Sequence, residues 1–87
     1  MNNDIENLKK RLIYRSQYRG TKEMDKLIGG FVKNNIDKLN LEQLLDLEKF
    51  LSIDDDSLYR FYNNQIDTLN DVSEELIKLY KMYEYKK

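Results

Sequence analysis

The sequence predicts an all-α fold, a compact bundle of five short helices, and three observations carry that prediction. Apolar residues recur at helical rather than alternating spacing. β-branched residues are too scattered to read as strands, and the periodic segments are separated by glycine or by residues that cap helix N-termini. The first helix is expected from about Asn3 to Gln17, on the stripe of Ile5, Leu8 and Leu12 with Ile13 beside it. Gly20 ends it, because glycine takes the left-handed conformation at a helix C-terminus without a Cβ penalty. Thr21 caps the second helix, whose apolar side is Met24, Leu27, Ile28, Phe31 and Val32 and whose first turn carries Glu23 and Asp25 to complement the macrodipole.

Gly29 and Gly30 stand inside that second stripe, where each costs about 1 kcal/mol against alanine, and close approach of a neighbouring helix is the expected compensation. Asn40 with Gln43 three residues on forms a capping box for the third helix. Leu41, Leu44, Leu45, Leu47, Phe50 and Leu51 give that helix its apolar side and the largest share of the core. The run Asp54-Asp55-Asp56-Ser57 before Leu58, Phe61 and Tyr62 reads as the entry to a short fourth helix, with residues 63–70 as a connection. Asp71 with Glu74 is taken as the cap of a fifth helix bearing Leu76, Ile77, Tyr80 and Tyr83, and residues 85–87 as a frayed tail.

Eighty-seven residues make one domain, 1–87, since single cores typically occupy about 100 to 150 residues. The expected radius of gyration is about 12 Å. So small a bundle leaves little interior for a cofactor cavity, which places function on the outside. Without Cys or His the chain lacks thiol nucleophiles, imidazole bases, disulfides and the usual soft metal ligands. The three consecutive aspartates do not make an EF-hand, because Tyr59 and Gln65 stand where its glycine and final glutamate belong; they read as caps. No catalytic residue and no metal site is expected, and the protein is read as not an enzyme. Charged residues are 36% of the chain and the mean hydropathy is −0.81, so no membrane span is expected. The opening Met1–Asp4 has neither the basic start and apolar run of a secretory signal nor the look of a transit peptide. A cytoplasmic protein made at its final length is the expectation.

Charge is distributed unevenly. Residues 1–39 carry nine Lys and Arg against five Asp and Glu, residues 40–77 two against ten, and residues 78–87 four against one, an electrical dipole if the fold keeps the parts apart. Cations of the first helix mixed with Tyr14 and Tyr18 suit a nucleic-acid-binding module, or a generic helical protein-interaction module using that basic face. The pI of about 5.4 and the acidic middle speak against nucleic acid, and none is expected as a partner.

The turn between the first two helices reads Arg15-Ser16-Gln17-Tyr18-Arg19-Gly20-Thr21-Lys22-Glu23-Met24-Asp25. On physical grounds alone it is a glycine stop, a threonine cap and an Arg19/Glu23 pair, an exposed salt bridge worth less than about 1 kcal/mol. As a string of residues it resembles the succinate dehydrogenase assembly factor 2 family, known in bacteria as SdhE, whose hallmark is Arg-Gly-x-x-Glu between its first two helices; Arg19, Gly20 and Glu23 match. The likeness extends from Lys10 to Phe31, and Asp54-Asp55 with Leu58 resembles the family's acidic entry to its fourth helix. Phe61 stands where many members have Trp, Ser57 where they have Asp, and Ile66-Asp67-Thr68 replaces a frequent Gly-Lys-Pro.

The resemblance implies an assembly factor that binds the flavoprotein subunit of succinate dehydrogenase, and of fumarate reductase by extension, and promotes covalent attachment of FAD to it. The flavin is then held by the partner, and this chain binds no cofactor directly. The implied partner-binding residues are Arg11, Arg15, Tyr18, Arg19, Gly20, Thr21, Glu23 and Asp25. Arg19 and Glu23 are expected as polar anchors, Gly20 as the point of close backbone approach, and Arg11 and Arg15 as steering charges.

Overall fold

The structure, a computed structural model, describes residues 2–84, with side chains described from Asp4 onward. Five α-helices follow one another: α1 (Asn2–Gln17), α2 (Lys22–Asn35), α3 (Leu41–Leu51), α4 (Asp55–Tyr62) and α5 (Glu74–Met82). One element was not foreseen, a single 3-10 turn, Ile36–Lys38, that prolongs α2 and buries Ile36. The expected frayed tail, 85–87, lies outside the described residues. The radius of gyration is 12.3 Å.

The caps account for where the helices begin. The Thr21 hydroxyl accepts from the Met24 amide at 3.1 Å. Asn40 and Gln43 exchange both bonds of the capping box, each at 2.9 Å. Asp54 accepts from the Ser57 amide at 3.0 Å and from its hydroxyl at 2.8 Å. The entry to α5 differs from expectation. Ser73, not Asp71, is its N-cap and accepts from the Leu76 amide at 3.2 Å. Asp71 instead takes a left-handed φ of 62° in the preceding turn, a conformation that Asp tolerates, so Glu74 becomes the first residue of the helix. Asp46 on α3 fixes that entry by accepting from the Ser73 amide at 3.0 Å.

α1 packs against both α2 and α3, and the core lies where these meet α4 and α5. Leu12, Leu27, Ile28, Leu44 and Leu58 are fully buried around an aromatic centre of Phe31, Phe50 and Tyr80, with ring centroids 4.9 to 5.4 Å apart. Tyr80 closes this centre. Its ring contacts both phenylalanines, and its hydroxyl donates to the Leu58 carbonyl at 2.7 Å, so a phenol sits in the core with its polar atom satisfied. Leu41 and Leu45, expected in the apolar side of α3, are half exposed instead, because they lie on the flank of α3 that faces the rim of α1 rather than the core.

The glycine pair of α2 is explained by close approach, as anticipated. A Cβ on Gly29 would stand 3.3 Å from the Ser16 carbonyl oxygen, so the last turn of α1 rests directly on α2. The buried Ser16 hydroxyl turns back to the Ile13 carbonyl at 2.6 Å and leaves that contact free of an unmet polar group. Gly30 is covered not by a helix but by the Tyr83 hydroxyl. Burial there pushes the Tyr83 phenol above its ordinary pKa.

Two measurements test this account. Tyr80→Phe removes one buried hydrogen bond and is expected to lower the unfolding free energy by about 1–2 kcal/mol in urea titration, whereas Tyr80→Ala costs about 3–5. The second concerns acid. Hydrogen bonds from Ser57, its amide first, hold the Asp54 carboxyl below the ordinary aspartate range, so its contribution is complete above that range and is lost as pH falls through the lowered value. The gap in urea midpoint between wild type and Asp54→Ala should therefore narrow as pH falls from about 5 to about 2.

Candidate functional site

Residues 18–21 join α1 to α2, and the hallmark residues define how the chain turns there. Gly20 has φ of +119°, which an L side chain rarely adopts. The Arg19 amide, left without a helical partner, donates to the Asp25 carboxylate at 2.6 Å. Thr21 and Asp25 thus fold the turn back onto the first turn of α2.

The Arg19 side chain does not project into solvent. Only 10% of it is exposed, and three of its nitrogens donate within the chain: Nε to Asp55 Oδ1 at 2.8 Å, Nη1 to the Leu51 carbonyl at 2.7 Å and Nη2 to the Ile53 carbonyl at 2.9 Å. The expected Arg19/Glu23 pair is therefore corrected to Arg19–Asp55. The reason is geometric: the α3–α4 junction offers two carbonyls without helical partners and a carboxylate in one place, a set that a guanidinium fork can meet and an exposed Glu23 cannot match. Arg19 braces the turn against α3 and α4 rather than reaching outward.

The other expected site residues fall on two sides of this brace. Glu23 is exposed on α2 and lines a shallow groove of about 300 Å³ with Thr21, Met24, Asp55, Asp56 and Tyr59. Tyr18 is 71% exposed and packs its ring on Tyr14 at 4.9 Å. Arg11 and Arg15 sit within 3.6 and 3.8 Å of one carboxylate, Glu48 on α3, and Arg15 also donates to the Ser52 hydroxyl at 3.1 Å. Lys9 pairs with Asp37 at 3.5 Å. The segments of opposite charge are not kept fully apart, as the anticipated dipole required: α1 lies along α3, so Arg11 and Arg15 face Glu48 of the middle segment across the helix contact. Asp55 is the residue that sequence reasoning did not place in the site. Its signal is the acidic entry to the fourth helix, where capping and the family resemblance both single out Asp55 but neither names Arg19 as its partner.

Among the described residues there is no group of three or more metal-ligating side chains, and no helix is long and apolar enough to cross a membrane. What the fold presents is a small helical protein whose exposed chemistry centres on one braced, charged turn. The family described as the flavinator of succinate dehydrogenase matches residues 10–83, and this chain belongs to it. It is 46% identical over 50 residues to the FAD assembly factor SdhE of Acetobacter pasteurianus, covering 58% of this chain and 46% of that protein. It is 34% identical over 76 residues to the mitochondrial succinate dehydrogenase assembly factor 2 of Dictyostelium discoideum, covering 87% of this chain and 54% of that one. The chain thus spans about half the length of these curated relatives. No solved structure matches it significantly.

The brace makes a quantitative prediction. Arg19→Ala strands a partly buried carboxylate and two carbonyls and should cost about 1.5–3 kcal/mol of stability, while Glu23→Ala costs less than about 1. In a double-mutant cycle Arg19→Ala and Asp55→Ala should couple by about 1–2 kcal/mol; additive losses would show that the two do not act together.

Proposed function

We propose that this chain binds the flavoprotein subunit of succinate dehydrogenase and promotes the covalent attachment of FAD to that subunit. The observation that carries the reading is the conjunction of family membership over residues 10–83 with a turn whose hallmark residues are held in one shape by Arg19. A rigid turn presents Glu23, Tyr18 and the Gly20 backbone to a partner without further loss of conformational freedom, which favours binding of one complementary shape.

The proposed mechanism needs no catalytic residue from this chain. When bound to the flavoprotein, the flavin would offer its methyl carbon to a histidine nitrogen of the same subunit; the C–N bond would replace a methyl C–H, and the electron pair and protons released would pass to the flavin ring, which would end reduced. The chain binds best to the flavoprotein conformation in which those two groups approach, and its differential affinity shifts the population toward that conformation. Gly20 brings backbone close, Glu23 gives a charged contact, and Arg19 with Asp55 acts from behind by fixing where both stand. Placing the flavin on the partner is supported by the glycine pair of α2: both residues lie inside a helix, where their amides are committed to helical hydrogen bonds rather than free to cradle a dinucleotide phosphate. Pairing of Lys9, Arg11 and Arg15 with Asp37 and Glu48 lowers the charge that nucleic acid would require, which favours a protein partner.

Co-expression tests the proposal directly. With the succinate dehydrogenase flavoprotein of its own cell, this chain should raise the fraction of flavoprotein whose flavin fluorescence survives denaturing electrophoresis. Glu23→Ala should abolish most of the gain while leaving the fold intact. Gly20→Arg should abolish it as well, since φ of +119° strains any side chain by about 1–2 kcal/mol and the new side chain would occupy the point of close backbone approach. Equal fluorescence with and without the chain, at matched flavoprotein and FAD levels, would overturn the reading.

A further inference from the structure

Four of the five large hydrophobic side chains exposed among the described residues lie along one strip, where α1 and α3 run side by side: Tyr14 at 65%, Tyr18 at 71%, Leu41 at 50% and Leu45 at 47%. The fifth, Met82, ends α5. At one end Leu41 and Leu45 line an open groove of about 560 Å³ together with Ile5, Leu8, Asn7, Asp4 and Arg11. From there the strip is continuous. Arg11 and Arg15 meet at Glu48, Arg15 reaches Ser52, and the next turn of chain is the Arg19 brace. Tyr14, one helical turn from Arg11 on α1, packs its ring on that of Tyr18, the first residue beyond the helix.

We infer that this strip is the second half of the flavoprotein footprint, contacting a segment of the partner that presents apolar side chains flanking a carboxylate. The inference rests on the proposed function for the identity of the partner. The charge of the strip chooses the occupant's chemistry: two guanidiniums share the single carboxylate of Glu48, at 3.6 and 3.8 Å, so the middle of the strip carries one positive charge that its acid does not balance. A partner carboxylate meets that excess. The leucine groove and the tyrosine pair on either side supply the apolar and aromatic contacts that concentrate binding energy, and the strip runs without a break into the turn bearing Gly20 and Glu23. The turn alone is a small surface for a stable complex; turn and strip together offer the partner one longer surface built from α1, α3 and the loop that follows α1.

Binding of the purified flavoprotein, measured by calorimetry, separates the possibilities. Leu41→Ala with Leu45→Ala, and separately Tyr14→Ala, should each weaken binding by about tenfold or more, with the chain still fully folded at the assay temperature because these side chains are half buried or exposed rather than part of the core. Arg11→Glu should weaken it further, and Met82→Ala should leave it within about twofold of wild type. If the strip variants bind like wild type while Glu23→Ala does not, the strip is outside the footprint and the flavoprotein reading stands. If the wild-type chain itself does not bind the flavoprotein, that reading falls and takes this inference with it. A free chain that dimerises in sedimentation, and loses the dimer in the leucine variant, would assign the strip to a second copy and overturn the inference.

Discussion

A single guanidinium sets the relative position of four helices. α3 ends at Leu51, whose carbonyl has no helical partner, and α4 begins at Asp55, at the positive end of its own backbone dipoles. Between them the chain turns sharply, and Ile53 adds another carbonyl. Arg19 enters this junction from the α1–α2 turn and satisfies all three acceptors at once. It thereby acts as a C-terminal cap for α3, supplied from elsewhere in the chain, while its charge lies where the α3 dipole is negative. Lysine could not replace it, because a point charge on a flexible stem cannot serve three acceptors in fixed divergent directions.

The glycine beside that arginine follows from the same constraint. For the Arg19 side chain to point back toward α3 while the chain moves on into α2, the backbone must reverse within one residue, and it does so at a φ that glycine alone adopts cheaply. Space is not the obstacle at Gly20: a Cβ there would stand 3.9 Å from Asp55 Oδ2, an ordinary contact. Conformation is. Gly29 answers a different demand, since there the backbone conformation is helical and a Cβ would stand 3.3 Å from the Ser16 carbonyl oxygen, a contact the last turn of α1 would have to yield to by a few tenths of an ångström. The two glycines therefore cooperate: one aims the turn, the other lets α1 and α2 close behind it.

Most of the fold was legible because it is encoded locally. Thr21, Asn40 and Asp54 cap the helices that their spacing announced, since a cap and its target amide lie three residues apart in any helix. Asp71 misled for the same reason. Ser73 and Asp71 are both good caps, and the choice between them is made by Asp46 from another helix, which grips the Ser73 amide. Leu41 and Leu45 misled because periodicity gives a face without saying how wide the buried sector is. The brace was illegible in part by its nature: two of the acceptors of Arg19 are backbone carbonyls, which every residue carries and no sequence pattern marks. Only Asp55 left a trace, as one of three adjacent acids with overlapping capping roles.

The same distinction between local and distant explains why charge counted along the chain misrepresents the surface. Counted along the chain, the basic first part and the acidic middle look like opposite poles; folded, they are juxtaposed, because α1 must lie on α3 to bury Leu8 and Leu12 against Leu44 and Leu47. Burial of apolar side chains is worth several kcal/mol per helix contact, whereas each exposed ion pair adds well under about 1, so packing decides the arrangement and the charges accommodate it. Arg11 and Arg15 share Glu48 across that contact, and Arg19, partly buried, takes Asp55. What reaches solvent beside the turn is consequently less basic than the count along the chain implies. It is a narrower pattern of Glu23, paired tyrosines and a modest cationic excess, and a surface of that kind discriminates among partners by shape and placement of charge more than by net attraction.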